Sequence, residues 1–178
     1  MILEEHFQTN VFLNPIWSRS HDSVMVDGQQ LLIAMDTLLD DSADVQPSLG
    51  ALPLVVQVRA AMMTSGHAHR WPVVDLLAAD ANAGRVTINF QNGVNAGWQF
   101  TKQDNFTGSM VNAPANATFM TVRAFINQGG GTLCSKADNQ PEFVKVASAE
   151  WDFGSIAKVR LRQAWDEICR FDDLIVYR

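Results

Sequence analysis

The sequence predicts an α+β domain, with helices mainly in its first half packed on a largely antiparallel sheet from the second half, and a C-terminal helix. Three observations carry this expectation. Leu31, Leu32, Met35, Leu38 and Leu39 recur at helical spacing. After Arg85 the period drops to two, with Val86, Ile88 and Phe90 alternating with Thr87, Asn89 and Gln91. Near the end, Leu161, Trp165, Ile168 and Cys169 share one face of a helix that Gly154 and Ser155 can start. At 178 residues, with 47% hydrophobic and 18% charged side chains, the chain is apolar enough for one core. No internal repeat or linker divides it, so residues 1–178 read as a single domain.

In chain order, Gln8 to Trp17 reads as extended up to Asn14-Pro15, because proline pushes its predecessor out of helical geometry. Phe12, Ile16 and Trp17 give it an apolar contact with the core. Asp27 is a suitable N-cap for a helix from Gln29 to Leu39, which ends in the acidic, turn-forming run from Asp40 to Ser48. Between Pro53 and Met63, Val55, Val56 and Val58 favour a strand while Ala60 to Met63 favour a helix. Proline suits a first helical turn and decides for helix. A third helix starts at Pro72, carries Val73, Leu76, Leu77 and Asp80, and stops at Asn82 to Gly84. The strand from Arg85 meets a tight turn at Asn92-Gly93. Further strands follow at Trp98 to Lys102, Thr118 to Ile126, Glu142 to Ala147 and Asp173 to Tyr177, with Gly129 to Gly131 as a hairpin or loose link.

Composition excludes some functions. A formal charge of −6 opposes nonspecific nucleic-acid binding, which draws on clustered Lys and Arg. Lys158, Arg160 and Arg162 read as a solvated helix face balanced by Asp166 and Glu167. Glu4 and Glu5 stand where a secretory signal would carry basic residues, and no apolar run approaches the roughly 20 residues of a membrane span. The expectation is a soluble protein without membrane insertion, in the cytoplasm or in an assembled particle. Cys134 and Cys169 are too few and too far apart for a metal knuckle or a disulfide framework, and read as reduced thiols. The sequons at Asn105 and Asn116 read as unglycosylated.

Two segments carry candidate sites. His67 and His69 flank Ala68; on a strand they would share a face about 7 Å apart, close enough for two imidazoles to reach one metal ion. A third ligand would come from His6, His21, Asp22 or Asp75. The same residues also fit a polar, Gly-flanked connection between two helices, with the histidines exposed. Asp40, Asp41 and Asp44 have the DDxxD spacing of magnesium-diphosphate sites, but nothing basic accompanies them, and they read as a hydrated helix end. No nucleophile elbow or phosphate loop is present in the sequence, and Glu142, Glu150 and Asp152 receive no role. No catalytic residue and no cofactor is assigned.

The second segment, Asn89 to Met120, sets Phe90, Trp98, Phe100, Phe106 and Phe119 among uncharged polar residues. Protein interfaces and sugar-binding faces both have this character; so does an ordinary sheet whose aromatics face its own core. The expectation drawn is a non-enzymatic structural or assembly protein, forming homo-oligomers or docking into a virion, a phage tail or a secretion machine. Two alternatives stand beside it: a small metal-dependent enzyme centred on His67 and His69, and an acidic inhibitor or immunity protein with a basic target.

Overall fold

A computed structural model of the chain describes residues 2–14, 16–20, 22–33, 42–45, 50–62, 71–78, 85–91, 97–102, 105–106, 111–112, 119–150, 155–164 and 169–178. The first expectation fails at Asp27. Gly28 and Gln29 both take positive φ, 57° and 62°, the backbone of a tight two-residue hairpin loop, and Asp27 pairs with Gln30 across it. Asp27-Gly28 is therefore a turn and not a helix cap. It joins β3 (Val24–Asp27) to β4 (Gln30–Ile33) in place of the first turn of a helix. The rest of that expected helix, residues 34–39, lies outside the described residues.

The other expected helices are overturned in the same way. Leu54 to Met62 forms β7, whose Leu54, Val56, Val58 and Ala60 are buried at alternate positions. Trp71 to Ala78 forms β8, buried on both sides and so lacking the alternation that marks a half-wet strand. Ser155 to Ala164 forms β16, where a C-terminal helix was expected, and Cys169 to Tyr177 forms β17, which includes the strand expected at Asp173 to Tyr177 and begins at Cys169, assigned to that helix. Each carries a register shift, at Ile156/Lys158 and at Phe171/Leu174. An extra residue in a strand turns a spacing of two into a spacing of three, so Ile156 and Val159, or Phe171 and Leu174, interrupt the strand period; Trp165 and Ile168, on which the expected helix also drew, lie outside the described residues. The α+β expectation is thereby replaced by an antiparallel β fold. Among the described residues no α-helix occurs, only a 3-10 turn at Val11–Leu13.

The remaining strands are β1 (Leu3–Glu5), β2 (Trp17–Arg19), β5 (Ser42–Val45), β6 (Gly50–Ala51), β9 (Arg85–Gln91), β10 (Gly97–Lys102), β11 (Asn105–Phe106), β12 (Val111–Asn112), β13 (Met120–Asn127), β14 (Gly130–Ala137) and β15 (Val144–Glu150). Two sheets result. The first runs β15-β14-β13-β7-β17-β4-β3, with β1 added on β17; the second runs β11-β10-β9-β8-β16-β5-β2, with β12 on β10 and β6 on β16. Gln128 and Gly129 close the β13–β14 hairpin, in line with the turn expected from the triple glycine.

One apolar cluster lies between the sheets. The first sheet contributes Leu31, Ile33, Val56, Val58, Val122, Ala124, Leu133, Phe171, Leu174 and Val176; the second contributes Val74, Leu76, Ile156, Val159 and Leu161. Phe7 and Trp17 meet edge to face in the same cluster, ring centroids 5.7 Å apart. Phe7 reaches it from a φ of 50°, a costly conformation for a bulky residue, offset by full burial of its ring and by the 2.8 Å bond from its N–H to Glu5 Oε1. Cys169 is a buried cysteine of this core and Cys134 a half-buried one on β14, neither in a disulfide.

The β1 strand is clamped by an ion pair. His6 Nδ1 lies 2.6 Å from Asp173 Oδ1 on β17, and Nε2 lies 3.0 Å from Glu4 Oε1. Hydrogen bonding to Asp173, then to Glu4, holds the His6 pKa above its ordinary value. A raised folded pKa means that the stabilisation is complete below about pH 6.5 and disappears as pH rises through the elevated value. With the His6 side chain 46% exposed, the effect is a few tenths of a kcal/mol. His6→Gln should therefore lower the thermal midpoint slightly at about pH 5.5 and leave it unchanged at about pH 9; equal losses at both would show that the contact is not ionic.

Candidate functional site

In a two-sheet sandwich each strand normally turns one set of side chains to the core and the other to water. Strand β8 departs from this. Val74 and Leu76 point into the core cluster, yet Val73 and Asp75, on the opposite face, are also 0% exposed. A fully buried carboxylate requires a partner, and Arg162 on β16 supplies it, its Nε donating to Asp75 Oδ2 at 2.7 Å while its side chain remains 12% exposed. Both groups make further interactions.

Backbone register shows what surrounds the pair. Ser18 on β2 is opposite Asp44 on β5, which is opposite Arg160 on β16, which is opposite Asp75. Asp75 is opposite Thr87 on β9, then come Thr101 on β10 and Phe106 on β11. Residues directly opposite one another share a face of a sheet, so this row crosses the second sheet as Ser, Asp, Arg, Asp, Thr, Thr and Phe. The next row on that face holds Ser42, Arg162, Val73, Asn89 and Gln99. Between them runs the apolar row Ala43, Leu161, Val74, Ile88 and Phe100, which contributes Leu161 and Val74 to the core. Polar and apolar rows alternate because the pleat sends successive residues to opposite sides.

Lys158, Arg160 and Arg162 thus share the outward face of a strand, correcting the solvated helix face expected from them. Their spacing of two was the available signal. Asp75, named only as a spare metal ligand, is the residue that sequence reasoning undervalued. It sits in an apolar run, Val73 to Leu77, where only the fold reveals that one side faces away from the core.

The other expected site residues are scattered. His67 and His69 lie outside the described residues, as do His21, Asp40 and Asp41. His6 is engaged by Glu4 and Asp173, and Asp22 pairs with Arg19 at 2.8 Å. Among the described residues no three His, Cys, Asp or Glu side chains converge to hold a metal ion. Phe90, Trp98 and Phe100 occupy β9 and β10, Trp98 opposite Phe90 and Phe100 opposite Ile88, while Phe106 falls in the Asp75 row. The side chains of these four lie outside the described residues. Phe119 precedes β13 in the other sheet, with the Arg59 guanidinium 4.1 Å above its ring. The five aromatics therefore belong to two different sheets.

No family model matches the chain, and no curated protein matches it in sequence. Solved structures do match. A protein of unknown function with a galectin-like fold from Bacillus subtilis superposes with a TM-score of 0.75 at 7% identity, covering 99% of this chain and 94% of that one. The catalytic domain of an endo-1,3-β-glucanase (laminarinase) from Thermotoga petrophila gives 0.75 at 10% identity, covering 100% and 97%. The carbohydrate-binding module CBM66 from Bacillus subtilis gives 0.67 at 7% identity, covering 92% and 96%. Identities this low establish a shared fold: a galectin-like, jelly-roll sandwich. The expectation of a virion, phage-tail or secretion-machine component is overturned here, since structures sharing this fold include carbohydrate-binding and glycoside-hydrolysing proteins.

Proposed function

We propose that the chain binds a carbohydrate on the face of the second sheet turned away from the core. The observation that carries this is the polar row through the half-buried Arg160 of β16, braced from beneath by the buried Asp75–Arg162 pair. A sugar hydroxyl both donates and accepts; carboxylates accept, guanidinium groups donate, and Asn, Gln and Thr do both. Rows of Asp, Arg, Thr, Asn, Gln and Ser across adjacent strands therefore match a ring of hydroxyls, and rigid strands hold that match better than loops. The shared fold with CBM66 and the laminarinase supports the same reading. Sites built to hydrogen-bond hydroxyls reject analogues that lack them, because the protein's polar groups are left unpaired.

The test is calorimetric titration with a panel of neutral oligosaccharides, repeated on Arg160→Ala and Asn89→Ala. Each variant should bind about tenfold or more weakly, the value of one lost charge-assisted or paired hydrogen bond. Unfolding stability should shift by less than about 1 kcal/mol for these changes. No oligosaccharide bound by the parent protein, or unchanged affinity in both variants, rejects the proposal.

A further inference from the structure

The first sheet presents a second polar face, on which not every described cation is paired with a carboxylate. Arg59 there is held by Asp138, through Nε at 3.1 Å and Nη2 at 2.6 Å, and by Asp172 through Nη1. Arg19, Arg162 and Arg170 likewise each hold an aspartate. Arg123 on β13 does not. Its Nε and Nη2 both donate to one oxygen, Gln57 Oε1, at 2.9 and 2.7 Å, and its guanidinium lies 4.1 Å above the Phe143 ring. The ammonium of Lys136 approaches the same ring at 5.3 Å. Among the described residues no carboxylate pairs with either cation, in a chain with 19 acidic and 13 basic side chains. Two cations drawn to one ring repel each other, and an anion placed between them removes that repulsion.

Two residues along the same strand and face, about 7 Å away by strand geometry, Phe125 is 39% exposed, a large apolar ring open to solvent. The exposed Lys145 stands opposite Cys134, which stands opposite Arg123. Gln57 fixes the guanidinium plane, leaving the Nη1 hydrogens to meet a ligand oxygen.

We propose that this face is a second binding site, separate from the Asp75 row, for a carboxylate-bearing saccharide. The apolar side of a pyranose ring stacks on Phe125 and its exocyclic carboxylate meets Arg123 Nη1, while Lys136, opposite Thr121 and so on the far side of Arg123 from Phe125, meets the carboxylate of the next uronate unit. A tetrahedral or planar anion alone would use the cations and leave Phe125 idle.

The test is titration of the 15N-labelled full chain with a hexuronate tetrasaccharide, against a neutral hexose tetrasaccharide, acetate and poly-glutamate. The hexuronate should shift the Arg123 Nε–H signal and the Phe125 and Lys136 amides, and the affinity should fall with added salt. Arg123→Gln and Lys136→Ala should each weaken it about tenfold. Phe125→Ala, at an exposed position where folding is least at risk, should weaken it measurably while leaving the affinity for acetate unchanged. Arg160→Ala should leave these shifts intact, which keeps this test independent of the second-sheet site. Shifts confined to the Asp75 face, acetate binding as tightly as the hexuronate, or poly-glutamate binding more tightly would each overturn the proposal, the last in favour of an acidic protein partner.

Discussion

Asp75→Ala should destabilise the fold by about 3 to 5 kcal/mol, the usual cost of removing one member of a buried ion pair. The removed carboxylate is fully buried, and Arg162, 12% exposed, would lose its 2.7 Å carboxylate partner. Arg162→Ala should cost a similar amount for the converse reason. The paired replacement Asp75→Leu with Arg162→Met is the informative variant, because apolar residues of similar volume often match or exceed the stability of the ion pair they replace. It should recover most of the lost stability and bind no sugar. That outcome, read by denaturant unfolding beside calorimetric titration, would show that the pair is kept for recognition. A double variant that binds oligosaccharide normally would show instead that the pair only fastens β8 to β16.

Phe171→Ala should cost a comparable 3 to 5 kcal/mol through lost burial and the cavity left behind. Phe171 is fully buried on β17, opposite Leu31 on β4 and Ala60 on β7, so it fills the space that the small Ala60 leaves open. Neither neighbouring backbone can collapse into the gap without breaking its ladder. Ala60→Leu, the opposite error, should cost about 1 to 3 kcal/mol by overpacking the same spot. Phe125→Ala on the outer face should cost under about 1 kcal/mol. Chemical denaturation separates these cases; equal losses at Phe171 and Phe125 would contradict the assignment of core and outer face.

The alternation in β9 was legible by itself, because a strand with one polar and one apolar side writes its period of two into the chain. The same holds for β13, β15 and the β13–β14 hairpin, all expected near their observed places. Composition also conveyed that a polar, charge-poor region with aromatics follows Asn89, a character shared by sugar-binding faces.

What the tertiary structure decided lies where local pattern and long-range pairing disagree. Strand β8 is buried on both sides, so its run of apolar residues has no period to read. Bulges in β16 and β17 set Ile156 and Val159, and Phe171 and Leu174, three residues apart, so neither strand keeps an unbroken period of two. Asp27-Gly28 fits a cap or a hairpin, and only the pairing of β3 with β4 selects the hairpin. The candidate sites follow the same logic: Ser18, Asp44, Arg160, Asp75 and Thr87 are scattered along the sequence and become neighbours only through strand register. Side-chain chemistry is local and is written in the sequence. The row that gives it a function is made by non-local hydrogen-bonded pairing, which the order of residues does not display.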